Sequence, residues 1–271
     1  MKPLDNYEKW AKKLIEADSF EVGSDIEVNK IYLREFLEAP INRYTPVLSW
    51  YIKSKWVEAF KLIKPSAPIE VAELASGSSV FVPQAISQHY NDPQTKYTTF
   101  NLNKRLTASF KAQTKKFPIK IDVVEEAAQK IDEYIGKDKI DAVVFEHAIN
   151  DILQAMFAER HGIDTIDTDW FEILPEMVEI ISSEYKNKTF EASVKDEFLA
   201  LLKSCLNVLK PNGIMVFFQF MYQSDLDRGY DSELYGNMVD VIRKWAHDFG
   251  IGREVFFDGF EPHWWMFIQK I

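Results

Sequence analysis

The sequence is poor in the features that mark secreted, membrane-spanning or nucleic-acid-binding proteins. Cys205 is the only cysteine among 271 residues. No intramolecular disulfide and no cysteine-based metal cluster can therefore form. Cys205 lies in an apolar helical pattern with Phe198, Leu201, Leu202, Leu206 and Leu209, so it reads as core filler rather than as a nucleophile. No run of about 18 apolar residues occurs, and no membrane-spanning helix is expected. The stretch from Met1 to Trp10 is charged from the start and has no apolar centre of the kind an export signal needs. Basic residues are outnumbered, 32 against 42 acidic, for a net charge of −10. Phosphate backbones are held by clustered Lys and Arg, so nucleic acid is not the expected partner. No internal repeat, linker or low-complexity segment is visible. The expectation is a soluble, cytoplasmic protein in a reducing compartment, without nucleic-acid or membrane partners.

What is present points to a globular α/β chain. It is 46% hydrophobic and 14% aromatic, enough for a full core. Residues 1–66 read as helical, over 5–17, 29–38 and 45–64, the last with Trp50, Ile52, Trp56, Phe60 and Ile63 as its apolar positions. From residue 68 the pattern alternates. Strands are predicted at 69–74, 97–100, 119–124, 140–145, 214–220, 255–257 and 264–268. Helices are predicted at 83–90, 104–114, 127–135, 149–160, 170–184, 191–209 and 232–249. Strands separated by helices imply parallel pairing, and the helix-free final pair implies an antiparallel hairpin. The predicted fold is a doubly wound, seven-stranded, mostly parallel sheet with the last strand antiparallel. A helical cap or lid over 1–66 precedes a domain over 67–271, which carries an insertion at 146–190.

Residues 68–82 carry the strongest local signal. A short apolar strand ends in Glu73 and Leu74. The very small residues Ala75, Ser76, Gly77, Ser78 and Ser79 follow, and a helical pattern opens near Pro83. A strand, a small-residue turn and a helix bring backbone N–H groups close to a nucleotide-like ligand. Glycine at the turn's centre permits that close approach.

Four segments together resemble the class I S-adenosylmethionine-dependent methyltransferases. Glu73-Leu-Ala-Ser-Gly-Ser-Ser resembles their acidic-x-Gly-x-Gly-x-Gly cofactor loop, with only the middle glycine kept. Phe100-Asn101-Leu-Asn-Lys stands where the family ends its second strand with a ribose-binding acid. Asp141-Ala-Val-Val-Phe-Glu-His resembles the fourth strand, whose end faces the transferred methyl. Leu206-Asn-Val-Leu-Lys-Pro-Asn-Gly-Ile resembles the turn before the fifth strand. The resemblance covers roughly residues 66–271 and implies S-adenosyl-L-methionine as cofactor and methyl transfer as activity.

The resemblance also implies site residues. Glu73, Ala75, Ser76, Gly77, Asn101, Glu125, Glu126 and Glu146 are the candidates for holding the cofactor. Glu73 would bond the methionine amino group or align the loop. Asn101 would bond ribose hydroxyls or cap the next helix. Glu125 or Glu126 falls near the adenine-contacting acid. Glu146, His147 and Asp151 follow the fourth strand and are the catalytic candidates. His147 would take a proton from the acceptor, or would be a structural histidine bonded to backbone. Tyr44, Trp50 and Trp170 are candidate contacts for a small-molecule acceptor, against the alternative of helix packing. His161, Asp164, Asp167 and Asp169 match no metal-site spacing and read as a solvated loop, so no metal is expected. Two alternatives remain open. One is a non-catalytic ligand-binding protein of the same fold. The other is a nicotinamide-dependent oxidoreductase, disfavoured because Val80 stands where the dinucleotide fingerprint needs its last glycine.

Overall fold

The computed structural model describes residues 45–64, 66–221 and 223–271. The helices expected at 5–17 and 29–38, together with Tyr44, lie outside the described residues. The first described helix, α1 (Thr45–Ile63), runs as the spacing predicts. The strands are β1 (Glu70–Leu74), β2 (Lys96–Phe100), β3 (Lys120–Val124), β4 (Ile140–Glu146), β5 (Leu209–Phe218), β6 (Arg253–Val255) and β7 (Trp265–Gln269). They form one sheet in the order β3-β2-β1-β4-β5-β7-β6. The first five are parallel, and β7 enters antiparallel between β5 and β6. The predicted sheet is therefore observed.

The connections are α2 (Phe81–Tyr90) and α3 (Lys104–Thr114), then a 3₁₀ turn (Ala128–Lys130) running into α4 (Ile131–Ile135). Next come α5 (Ile149–His161), α6 (Trp170–Lys186) and α7 (Phe190–Val208). Between β5 and β6 lie the short α8 (Gln223–Asp227) and α9 (Ser232–Gly236), then α10 (Met238–Asp248). No helix among the described residues is long and apolar enough to cross a membrane.

Each central strand is buried on both faces, as a continuous apolar run requires. In β4, Ala142 and Val144 face a core shared with Trp56, Phe60, Ile86 and Tyr97. Val143 and Phe145 face the other core, with Met156, Phe198 and Trp245. Phe145 stacks on Phe217 of β5, centroids 4.3 Å apart, and Trp56 packs edge-on to Trp265 at 5.0 Å. The packing reading of the α1 aromatic stripe therefore holds for Trp56 and Phe60, both fully buried. The side chains of Trp50 and Tyr51 lie outside the described residues. Cys205 is buried in the second core, as expected.

Some boundaries differ from the sequence expectation. Helix α2 opens at Phe81, two residues before Pro83, so the proline sits in the first turn where its missing N–H costs nothing. The single helix expected over 232–249 breaks at Asn237, whose side chain donates back to the Glu233 carbonyl at 2.8 Å. Strand β6 comes two residues earlier than expected. A Cβ on Gly252 would lie 2.6 Å from Ile268 and 2.7 Å from the Gln269 carbonyl, so this glycine seats the chain against β7 and pairing begins directly after it. The turn at Lys210–Gly213 is a bulge inside β5: Leu209 pairs Ile140, and Ile214 pairs Ala142.

Candidate functional site

Strand order reverses between β1 and β4: the chain proceeds from β1 to β2 and β3 on one side, then returns to place β4 on the other. Open α/β sheets bind ligands at this switch point, outside the carboxyl ends of the strands. A cavity of about 340 Å³ lies there. Its walls come from the β1 loop (Ala75, Gly77), the β2 end (Phe100, Asn101, Asn103) and the segment after β3 (Glu126, Ala127). The first turns of α5 contribute Asp151, Ile152 and Met156, and Trp170 of α6 also lines it.

The β1 loop has the conformation that glycine-rich loops have, with fewer glycines. Gly77 has φ of +57° and Ala75 has φ of +52°. The left-handed region costs a residue with a Cβ roughly 1–2 kcal/mol, so the loop keeps this shape at Ala75 against local strain. Side chains of β2 and α3 hold it. The Asn101 amide bonds both sides of Gly77's backbone, Thr99 Oγ1 donates to Ser76 Oγ at 2.8 Å, and Gln113 donates to the Ser78 carbonyl at 3.0 Å. The helix cap belongs to a different residue: Asn103, not Asn101, accepts from Leu106 N–H at 3.1 Å.

Asn103 also ties down the roof. Its Nδ2 donates to the carbonyls of Thr165 and Thr168 at 3.0 and 2.8 Å. The Asp164 carboxylate accepts two backbone N–H groups of the same loop, from Ile166 and Asp167. Asp167 and Asp169 pair with Lys104 and Arg105 at 2.6 and 3.0 Å. The acidic loop expected to be solvated is thus a strap pinned to α3, with Thr165 and Ile166 facing the cavity. Nothing in the spacing of these aspartates announced that role, because their partners lie some 60 residues away.

Of the expected cofactor contacts, Ala75, Gly77, Asn101 and Glu126 line the cavity, while Glu73, Ser76, Glu125 and Glu146 do not. Glu125 is drawn outward to Lys111. Glu73 is fully buried beneath the loop, where its Oε2 accepts from Tyr97 OH at 2.5 Å and its Oε1 has no partner. Burial, and then the Glu146 charge, hold its carboxyl well above the usual carboxylate range. Glu146 ends β4 and accepts from Ser79 Oγ at 3.0 Å. Burial pushes it up to about 7.

The three catalytic candidates part company. His147 has φ of +50° at the β4–α5 junction. Its Nε2 lies 2.7 Å from the Phe220 carbonyl, and since a carbonyl only accepts, Nε2 carries the proton. Burial holds its pKa below the ordinary histidine value. His147 does not line the cavity, nor does Glu146, but Asp151 does. Asp151 sits in the first turn of α5, where the helix dipole favours the anion by up to about 1 kcal/mol at exposed sites. Burial outweighs that, and with the Asp225 and Glu146 charges it pushes the carboxyl up to about 8.

The cavity's charge is one-sided. Glu126, Asp151, Glu159 and Asp164 line it, and no Lys, Arg or His does so among the described residues. Such a lining fits a ligand carrying positive charge, with apolar surface from Ile152, Met156 and Ile163 for a flat ring. It opposes a diphosphate.

No protein-family model matches the sequence, and no curated protein matches it. Solved structures share its fold. A methyltransferase dependent on S-adenosylmethionine from Aquifex aeolicus is 10% identical, over 79% of this chain and 87% of its own, with a TM-score of 0.44. The O-methyltransferase family 2 protein of Planctomyces limnophilus, solved with apigenin, is 10% identical over 82% of this chain and 58% of its own, with a TM-score of 0.46. The CurJ carbon methyltransferase is 14% identical over 83% of this chain and 54% of its own, with a TM-score of 0.47. Likeness at this level concerns the fold, and no residue role is carried over from it. In the order and direction of its seven strands, the chain resembles the class I S-adenosylmethionine-dependent methyltransferases.

Proposed function

We propose that the chain is an S-adenosylmethionine-dependent methyltransferase acting on a small-molecule acceptor. The observation that supports this reading best is a cavity at the switch point lined by carboxylates alone. S-adenosylmethionine is a sulfonium cation, and when bound it supplies an electrophilic methyl group. Dinucleotides bring a diphosphate instead, which the same lining repels. Asn101 and Glu126 are placed to meet ribose and adenine, and Ala75 and Gly77 to let the backbone approach. Asp151, at the β4 side of the cavity, is placed near the methyl group and is the group here suited to hold a proton leaving the acceptor. Trp170 is proposed to touch the acceptor. The cavity lies at the low end of small-molecule sites, which span about 300–1,000 Å³, and the strap at 162–169 further restricts entry.

Calorimetric titration of the full chain with S-adenosylmethionine, S-adenosylhomocysteine, NAD and NADP tests the reading. Binding of the first two alone is expected. Tighter binding of NAD or NADP, or binding of none, overturns it.

A further inference from the structure

Beside the cavity, on the adjoining face of α5, lies a buried cluster that the cofactor reading does not use. Asn150 and Gln154 are one helical turn apart and buried, 3% and 0% exposed. Both amides spend their NH₂ groups. Asn150 Nδ2 donates to Asp151 Oδ1 at 2.9 Å, and Gln154 Nε2 donates to Tyr230 OH at 2.9 Å, with Tyr235 OH at 3.5 Å. Both amides leave the carbonyl oxygen, Asn150 Oδ1 and Gln154 Oε1, buried and without a partner. Glu146 Oε1, one turn's length before Asn150 in the chain, is buried and without a partner as well. A buried polar atom without a partner costs about 1–3 kcal/mol, and native structures carry few of them. Here three such atoms are all oxygens.

Charge points the same way. Glu146, Asp151 and Asp225 lie close enough for Asp151 to feel the other two. Arg228 stands 3.6 Å from Asp225, and His147, 4.0 Å from Asp225, is disfavoured as a cation by burial. One arginine faces three carboxyl groups. An ammonium group brings three N–H donors and one positive charge, which is what three orphaned oxygens and a surplus of carboxyls lack.

We propose that Glu146, Asn150 and Asp151 form a receptor for a protonated amine on the methyl acceptor, making the substrate class a small amine. This rests on the methyltransferase reading above. The cofactor is not the occupant, because Asn150 and Gln154 do not line the cavity and turn instead towards Tyr230 and Tyr235. Asp151, which belongs to both, joins the two sites.

The test uses n-butylammonium as probe, with 1-butanol and butyrate as controls of matched shape, titrated into the full chain with and without saturating S-adenosylhomocysteine. Butylammonium is expected to raise the melting temperature and to bind at least about tenfold more tightly than butanol, the gain of one charge-assisted hydrogen bond. Butyrate is expected not to bind. Asn150→Leu and Glu146→Gln are each expected to weaken butylammonium by about 10- to 100-fold. Asn150→Leu, whose side chain lies outside the cavity, is expected to leave S-adenosylhomocysteine affinity within about twofold, well under the tenfold that 1.4 kcal/mol represents. Equal binding of butylammonium and butanol, or no binding of butylammonium, overturns the proposal and leaves ordered water as the occupant. Equal loss of amine and S-adenosylhomocysteine in Asn150→Leu assigns the oxygens to the cofactor and also overturns it. Failure of S-adenosylhomocysteine to bind while butylammonium binds overturns the methyltransferase reading instead.

Discussion

The side chain of Asn101 grips Gly77 from both sides, its Oδ1 accepting from the Gly77 N–H and its Nδ2 donating to the Gly77 carbonyl, each at 2.8 Å. A carboxylate has acceptors and no donor, so the acid found here in the resembled family could not make this clamp. Asn101→Asp keeps one bond and aims an anion at a carbonyl oxygen. The expected loss is about 1–3 kcal/mol, and a domain of this size loses roughly 2–4 °C of melting temperature per kcal/mol. S-adenosylhomocysteine affinity is expected to fall with it. A calorimetric melt unchanged from wild type would show that the clamp contributes nothing.

Gly77 is held by conformation rather than by crowding. A Cβ there would meet only Leu106 Cδ1, at an ordinary 3.6 Å, while φ is +57°. Substitutions should therefore rank by tolerance of the left-handed region. Asn visits that region readily and β-branched residues do not. Gly77→Asn is expected to cost less than Gly77→Ala, and Gly77→Val most, in both melting temperature and S-adenosylhomocysteine affinity. Equal losses for all three would point to a steric cause that the geometry does not contain.

The sheet was legible because its signals are local. The run Ile140–Phe145 could only be a strand buried on both faces, and the Lys210–Gly213 turn is marked by its own residues. The site was legible only where the loop's backbone makes it. Asn101 and Asn103 both follow β2 and are the same residue type. Their division of labour, clamp against cap and strap anchor, depends on Gly77 and on Thr165 and Thr168, which are distant in sequence. The polar cluster on α5 was half visible: Glu146, His147 and Asp151 stood out at the end of β4. Asp225, Tyr230 and Tyr235 come from a stretch without periodicity, and only folding brings them to Gln154 and Asn150. His147 was singled out for its pKa in water, and burial changes that value.

Stability should fall as pH rises above neutrality. Folding raises the pKa of Glu146 to about 7 and of Asp151 to about 8, and raises Glu73 as well. The native state thus keeps protons that the unfolded chain releases near pH 4. That contribution is complete below the unfolded values and is lost as pH climbs through the folded ones. The histidines have the opposite sign. His147 and His89 are held below their ordinary value, so their contribution is present above about pH 6.5 and lost below it. Between about pH 6.5 and pH 8.5 the carboxyls alone set the slope, and the melting temperature is expected to drop by several degrees. Glu146→Gln, which can still accept from Ser79, should flatten the curve and be the more stable protein at about pH 8.5. A melting temperature that rises over this interval would contradict the buried neutral carboxyls.

The remaining prediction separates His147 from Asp151 in catalysis. His147 gives its Nε2 proton to the Phe220 carbonyl and does not line the cavity, whereas Asp151 does. A general base must reach the proton it takes, directly or through one water, and geometry ranks before pKa. His147→Ala is therefore expected to lower the melting temperature, through its lost bond across the β4–α5 junction, and to change kcat by less than about tenfold with the pH profile intact. Asp151→Asn keeps the side chain's size and its contact with Asn150 but cannot accept a proton. It is expected to lower kcat by about 10²–10⁴-fold, the ordinary contribution of a base. With Asp151 pushed up to about 8, kcat/KM in the wild type should rise with pH towards that value, because the free enzyme must first lose the Asp151 proton. The same profile in Asp151→Asn should be flat. The reverse pattern, with the pH dependence surviving in Asp151→Asn and vanishing in His147→Ala, would return the base to His147.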